Sequence, residues 1–90
     1  MNKKSLYQRN VIFFQYSKSF EEVNPRMAYQ IKNFGIQNIF KQFQANTSLL
    51  SESEKNELKK NIQELKVMKD KLGKIFYIQV KALMLQKASL

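Results

Sequence analysis

Few side chains in this sequence of 90 residues could carry covalent or acid–base chemistry. It contains no histidine, cysteine or tryptophan, which excludes zinc fingers, thiol redox chemistry, disulfide frameworks and Ser-His-Asp triads. Adjacent carboxylates such as Glu21 and Glu22 point apart on a helix. Glu52, Glu54 and Glu57 fall where a helix begins, and the helix dipole accounts for them there. No pair of acids is therefore placed as a catalytic pair.

Glycine-rich phosphate-binding loops are excluded as well. The two glycines, Gly35 and Gly73, stand too far apart for a P-loop or a dinucleotide-binding fingerprint. A small lyase or isomerase working through carboxylates is the remaining catalytic class, and no pattern favours it. We predict that the chain is not an enzyme and has no cofactor of its own.

The net charge of +9, from sixteen Lys and Arg against seven Asp and Glu, predicts a negative partner: nucleic acid, anionic lipid or an acidic protein. Most lysines follow the third predicted helix, where they form a solvated face, a phosphate-contacting surface or a surface for an acidic protein. Nucleic-acid binders favour clustered arginine with exposed aromatics, and the only arginines are Arg9 and Arg26. A basic protein associated with RNA or the mitochondrial ribosome stays as an alternative.

Membrane insertion and targeting also leave patterns in a sequence. The most apolar stretch, residues 75–85, is interrupted by Gln79 and Lys81 and is shorter than the roughly 18–20 residues of a span. We predict no transmembrane helix, with contact at a membrane surface left open. The first twenty residues are basic and free of acids, as in a mitochondrial import signal; their cations are Lys3, Lys4, Arg9 and Lys18.

Helix start signals divide the chain into three segments. Ser5 is placed as an N-cap, Asn24 precedes Pro25 as an N-cap with proline at the first helical position, and Ser51 with Glu54 forms a capping box. We predict helices over about residues 5–20, 25–44 and 51–88, with the third long or kinked near Gly73. The fold class is all-α: one domain, residues 1–90, forming an antiparallel three-helix bundle.

Apolar residues at helical spacing predict the core. The predicted stripes contain Leu6, Tyr7, Val11, Phe13, Phe14 and Phe20, then Met27, Ile31, Phe34, Ile36, Ile39, Phe40 and Phe43, then Leu58, Ile62, Leu65, Leu72 and Phe76. The phenylalanines pack in the core or line a groove for a long apolar ligand. Gly35 marks either a close helix–helix contact or a tolerated defect. The last segment is apolar on more than one face, which indicates docking on another molecule.

A family resemblance rests on short motifs in this order. Leu6-Tyr7-Gln8 opens the first helix, Phe43 and Asn46 stand at the end of the second, and Ser51 begins the third. This order resembles the LYR-motif family of small basic mitochondrial three-helix proteins. The resemblance covers roughly residues 5–70. It departs from the family pattern at Gln8, which occupies the position of the motif arginine, with Arg9 one residue later.

The resemblance implies a function as well as a fold. Family members are non-catalytic accessory subunits of respiratory-chain complexes, notably complex I, or assembly factors, and they bind an acyl carrier protein whose acyl-phosphopantetheine chain inserts among the helices. It implies a location on the matrix side of the mitochondrial inner membrane and contacts with larger subunits. Candidate contacts to the acidic carrier protein are Arg9, Arg26 and Lys32.

Overall fold

The computed structural model describes residues 4–88. These form three α-helices, α1 (Leu6–Phe20), α2 (Pro25–Ala45) and α3 (Glu52–Ala88), with a short 3₁₀ helix at Thr47–Leu49 between α2 and α3. No strand occurs in this part of the chain. The all-helical prediction is confirmed, whereas Lys3 of the predicted import signal lies outside the described residues.

The first two helices begin at the predicted caps. The Ser5 hydroxyl accepts a hydrogen bond from the Gln8 backbone N–H at 3.1 Å, and the Asn24 side-chain oxygen accepts one from the Met27 N–H at 3.1 Å. Pro25 follows Asn24 at the first helical position. These contacts satisfy backbone donors that have no partner within the helix.

The carboxylate of Glu54 ties the start of α3 to the start of α1. One oxygen accepts the Ser51 backbone N–H at 3.0 Å, and the other accepts the Ser5 hydroxyl at 2.7 Å. The Glu54 N–H donates in turn to the Ser51 hydroxyl at 3.2 Å, which completes the predicted capping box. The hydrogen bonds from Ser51 and Ser5 stabilise the charged form and lower the pKa of Glu54.

The apolar core is concentrated at this end of the molecule. Its buried members are Leu6, Ile36, Ile39, Leu50 and Leu58. They come from the first turn of α1, the second half of α2, the connection after it and the beginning of α3. Half-buried side chains pack around them: Tyr7, Phe14, Phe40, Phe43, Leu49, Ile62 and Leu65.

Small residues let α1 and α2 approach closely. Ser17 donates a buried hydrogen bond of 2.6 Å to the carbonyl of Ala28. A Cβ placed on Gly35 would lie 3.0 Å from the Cβ of Phe13 and 3.1 Å from a ring carbon of Phe14. Of the two interpretations of Gly35, the close helix–helix contact is the one that the geometry supports.

A buried polar pair also joins α1 to α2. Asn10 is 2 % exposed and donates from its side-chain amide to the Leu6 carbonyl at 2.9 Å. Its side-chain oxygen accepts from the Asn38 amide at 2.7 Å. Both polar atoms of Asn10 are thus satisfied, which burial requires.

The predicted apolar stripe at the start of α2 is wrong at Met27 and Phe34, whereas its third member, Ile31, is half-buried. Met27 and Phe34 are exposed, at 41 % and 58 %. The Phe34 ring makes an edge-to-face contact with the Phe13 ring, with 5.0 Å between the ring centroids. Because close approach to α1 selects small residues and Lys32 buries its side chain, the buried face of α2 lies elsewhere. It contains Ala28, Lys32, Gly35, Ile36 and Ile39. Phe20 and Phe76 of the other stripes are exposed as well.

The third helix is much longer than the other two. Its 37 residues extend about 55 Å at 1.5 Å per residue, whereas the 21 residues of α2 extend about 32 Å. The helix runs without interruption through Gly73, so the prediction of a long third helix is confirmed. Every residue from 73 to 86 is exposed, and the molecule is 66 Å long but only 22 by 18 Å across.

Candidate functional site

The first two residues of the motif lie in the packed end of the bundle. Leu6 is 2 % exposed within the core. Tyr7 is half-buried, its ring centroid 5.8 Å from that of Phe14, and its hydroxyl accepts a 3.0 Å hydrogen bond from the Asn61 side chain of α3. Burial, followed by the charge of Glu57, raises the pKa of Tyr7, so the phenol stays protonated and holds α1 against α3.

Gln8 has a local role that an arginine could not fill. Its side-chain oxygen accepts the Ser5 backbone N–H at 2.9 Å while its own N–H donates to the Ser5 hydroxyl. This is a capping box, which requires an acceptor at the third helical position. A guanidinium has donors only. Gln8 therefore has a structural role in the cap of α1.

The three candidate cations for an acidic partner are not brought together. Arg9 is exposed in the first turn of α1, and Arg26 is exposed in the first turn of α2. The hydrogen bond between Ser17 and Ala28 places the start of α2 two turns beyond Arg9 along α1, about 12 Å at 1.5 Å per residue. Arg9 and Arg26 therefore lie on different turns of the bundle and do not form one cluster.

Lys32 already has an acidic partner within the chain. Its side chain is 5 % exposed, and its ammonium lies 2.5 Å from a carboxylate oxygen of Glu64, whose side chain is 49 % exposed. The pair joins α2 to α3, with Lys32 on the same buried face of α2 as the core residues Ile36 and Ile39. Buried charges require such partners, so the charge of Lys32 is compensated internally.

Phe43 and Asn46, the predicted motif at the end of α2, both serve packing and turn formation. Phe43 is half-buried against the core, with the Lys55 ammonium 6.0 Å from its ring centroid. The backbone N–H of Asn46 caps α2. Its side-chain oxygen accepts the Ser48 backbone N–H at 3.1 Å and the Ser48 hydroxyl at 2.6 Å. These contacts turn the chain into the 3₁₀ helix.

A charged groove lies between α1 and α3. It is open to solvent, has a volume of about 520 Å³ and is lined by Tyr7, Val11, Phe14, Lys18, Glu57 and Glu64, among others. Its carboxylates and ammonium groups are mixed, and its apolar wall is formed by Val11 and Phe14. The phenylalanines do not meet in one long apolar groove: Phe14 lines this one, whereas Phe34 and Phe76 are exposed elsewhere.

A second groove lies where α3 leaves the bundle. It has a volume of about 390 Å³ and is bounded by Pro25 on one side and by Val67 and Met68 of α3 on the other. Beyond it α3 is bare, with large apolar side chains exposed on all sides. These are Ile75, Phe76, Tyr77, Ile78, Val80, Leu83, Met84 and Leu85.

No group of three or more acidic, histidine or cysteine side chains in residues 4–88 could hold a metal ion. Over the same residues, no helix has the length and hydropathy of a bilayer-crossing segment.

Several residues that make contacts between the helices could not be recognised from the sequence pattern. Asn61, Glu64 and Asn38 join helices through polar contacts at positions that hydrophobic periodicity assigns to solvent. The link from Glu54 to Ser5 is the exception, because each residue belongs to a recognisable cap. If α1 and α3 run parallel, the caps at their N-termini lie at the same end of the bundle and can contact each other.

Comparison with known proteins adds no relative. No protein-family model matches the sequence, and no curated protein or solved structure is significantly similar to it.

Proposed function

We propose that this chain is a non-catalytic accessory subunit of a mitochondrial respiratory-chain complex, complex I-like, on the matrix side of the inner membrane. The observation that carries the proposal is the bare end of α3, where eight large apolar side chains are exposed between residues 75 and 85. Monomeric proteins in water rarely expose contiguous apolar surface on this scale. Incorporation into an assembly at a membrane, where protein subunits and lipid can surround the helix together, covers it.

The proposed architecture is an LYR-type bundle with antiparallel neighbours. Two hydrogen bonds between α1 and α2 support this order: Asn10 pairs with Asn38, and Ser17 pairs with Ala28. Moving forward along α1 thus corresponds to moving backward along α2. Between α2 and α3, Lys32 pairs with Glu64, and Phe43 lies near Lys55, which is again the antiparallel sense.

The placement of the motif residues supports the family assignment. Leu6 and Tyr7 are set into the bundle, and Phe43 packs against the same core. In this proposal an acyl carrier protein approaches the exposed guanidinium of Arg9. Lys32 takes no part, because its ammonium is bound to Glu64.

The proposal is tested by recovering the full chain, tagged at its natural expression level, from gently solubilised mitochondria. We expect it in the mitochondrial fraction, far above its own 10.7 kDa on sizing, with respiratory-chain subunits identified by mass spectrometry. An assembly factor would accompany assembly intermediates only. Recovery as a cytosolic monomer would refute the proposal. Recovery with ribosomal proteins in a salt-sensitive manner would replace it with the RNA-associated alternative.

The carrier-protein contact has its own variants. Arg9→Glu should remove an acyl carrier protein from the purified assembly while the other subunits remain, because it reverses the charge that faces an acidic partner. Lys41→Glu is the matched control, since Lys41 is exposed on α2 and outside the motif. Equal retention in both variants would contradict a contact through Arg9.

A further inference from the structure

The bare end of α3 has an ordered distribution of charge. Between residues 72 and 86 the only charged side chains are Lys74 and Lys81. They are seven residues apart, two turns of helix, and therefore share one face. Tyr77 lies between them on that face, and the Lys81 ammonium is 6.0 Å from its ring centroid. We call Lys74, Tyr77 and Lys81 the lysine stripe.

The side of the helix opposite the lysine stripe is apolar. Leu72, Phe76 and Leu83 follow one another there at helical spacing, and Gln79 is the polar exception among them. Further apolar side chains lie beside the lysines: Ile78 and Leu85 are each four residues after one of the two lysines, Met84 is seven residues after Tyr77, and Val80 borders the stripe. The apolar surface therefore wraps most of the helix and leaves one narrow cationic strip.

A second copy of the chain is a poor occupant for this surface. Pairing two such ends through the side opposite the lysine stripe would cover Leu72, Phe76 and Leu83 but leave the apolar side chains on the remaining sides in water, and residues 71–86 contain no acid that could pair with a lysine of the other copy. A groove on a protein covers one face of a docked helix. It would leave Ile78, Val80 or Leu85 in water on the remaining sides.

An anionic bilayer surface satisfies both features together. A helix lying in the interface buries a broad apolar arc among the acyl chains, while lysines reach back to the headgroups along their flexible stems. Tyrosine also favours this boundary, because its ring is apolar and its hydroxyl is polar. We propose that residues 72–86 of α3 lie in the surface of an anionic phospholipid bilayer with the lysine stripe toward the headgroups.

This contact goes beyond the proposed function and does not depend on it. A respiratory complex in an anionic membrane would offer such a surface, but binding to pure lipid requires no protein partner. Failure of the lipid test leaves the accessory-subunit proposal standing, and failure of the purification test leaves the lipid contact standing.

The test is co-sedimentation of the full chain with vesicles of equal parts phosphatidylcholine and phosphatidylglycerol, compared with vesicles of phosphatidylcholine alone. We expect binding to the anionic vesicles that weakens with salt. Each lysine near such a surface is worth about fivefold in affinity. The double variant Lys74→Gln, Lys81→Gln should therefore bind about 25-fold more weakly. Its matched control, Lys41→Gln with Lys59→Gln, removes two exposed lysines of the bundle and should bind nearly as wild type.

Two further variants test the apolar face. Phe76→Ala with Leu83→Ala should lower affinity on the order of 100-fold. Folding should be unaffected, because both side chains are exposed and the bundle core lies elsewhere. Gln79→Leu should bind more tightly, since it removes the polar interruption.

A fluorescent reporter is available because the chain has no tryptophan. The emission of Phe76→Trp should shift to shorter wavelength on anionic vesicles, as the indole leaves water.

Three results would overturn the proposal. Equal weakening by the two lysine pairs would mean that net charge alone attracts the chain. Equal binding to neutral and anionic vesicles would remove the role of the lysine stripe. Absence of vesicle binding would also overturn it, and a concentration-dependent dimer on sizing would then identify a second copy as the occupant.

Discussion

The close contact between α1 and α2 at Gly35 can be tested with a single methyl group. Gly35→Ala places a Cβ 3.0 Å from the Cβ of Phe13 and 3.1 Å from a ring carbon of Phe14. The ring of Phe14 can rotate, but the Cβ of Phe13 is fixed to its backbone. Relief of this overlap therefore requires α1 to move away from α2.

The sign of the change follows from two opposing contributions. Neither glycine has a positive φ, so alanine fits the backbone and gains about 1 kcal/mol of helix propensity over glycine. Overpacking a close contact costs about 1–3 kcal/mol. We expect Gly35→Ala to lower the free energy of unfolding by about 1 kcal/mol, or the melting temperature by about 4–8 °C in a domain of this size.

The matched control is Gly73→Ala. A Cβ at Gly73 meets no atom within 4 Å, so only the propensity gain remains, and stability should rise by up to about 1 kcal/mol. Both variants are measured by thermal and urea unfolding followed by circular dichroism at 222 nm, a wavelength at which helix dominates the signal. An equal rise in stability for Gly35→Ala would refute the close contact.

Three further predictions concern polar contacts. Because hydrogen bonds lower the pKa of Glu54 in the folded state, its stabilising contribution is present above the unfolded value of about 4.5 and is lost as pH falls through the folded pKa; in urea unfolding series, Ser5→Ala should reduce this loss. Glu64→Ala should destabilise the domain more than Lys32→Met, by about 2 kcal/mol, because it leaves a buried ammonium unpaired; equal costs in chemical unfolding would contradict this. Gln8→Arg should cost about 0.5–1 kcal/mol by opening the capping box; an unchanged melting temperature would show that the cap is dispensable.

The helix boundaries were predictable because their signals are local. Ser5, Asn24 with Pro25, and Ser51 with Glu54 each satisfy backbone donors within a few residues of themselves. Such contacts do not depend on the partner helix, so a single sequence contains them in full. The long apolar stretch after Gly73 was predictable for the same reason.

The buried polar residues were not predictable, because they depend on which helix faces which. Asn10 is buried only because Asn38 and the Leu6 carbonyl meet it, and Ser17 only because the Ala28 carbonyl lies opposite. Periodicity assigns polar residues to solvent. It therefore placed Met27 and Phe34 inside, where Ala28, Lys32 and Gly35 are found.

The same limit applies to the candidate site. Helical periodicity predicted that Leu6 and Tyr7 pack in the bundle, as they do. The hydrogen bond from Asn61 to Tyr7 and the pairing of Lys32 with Glu64, however, join positions more than thirty residues apart. Such contacts can be predicted only when the relative positions of the helices are known. A lysine that is proposed as a partner contact from its charge alone, such as Lys32, can therefore already be paired with a carboxylate of the same chain.

The placement of polar contacts divides the molecule into two parts with different roles. Within the bundle, every described buried side-chain polar atom has a hydrogen-bond partner, and Asn10, Ser17 and Lys32 hold α2 against its neighbours. This makes the register specific without any outside molecule. Beyond Leu72 every side chain described up to residue 86 is exposed, so this part of the helix is stabilised mainly by its own backbone hydrogen bonds and helix propensity. Because backbone hydrogen bonds within the helix hold this segment, its side chains are not needed for packing against α1 or α2. The end of α3 can therefore present a broad apolar surface to another molecule without disturbing the bundle.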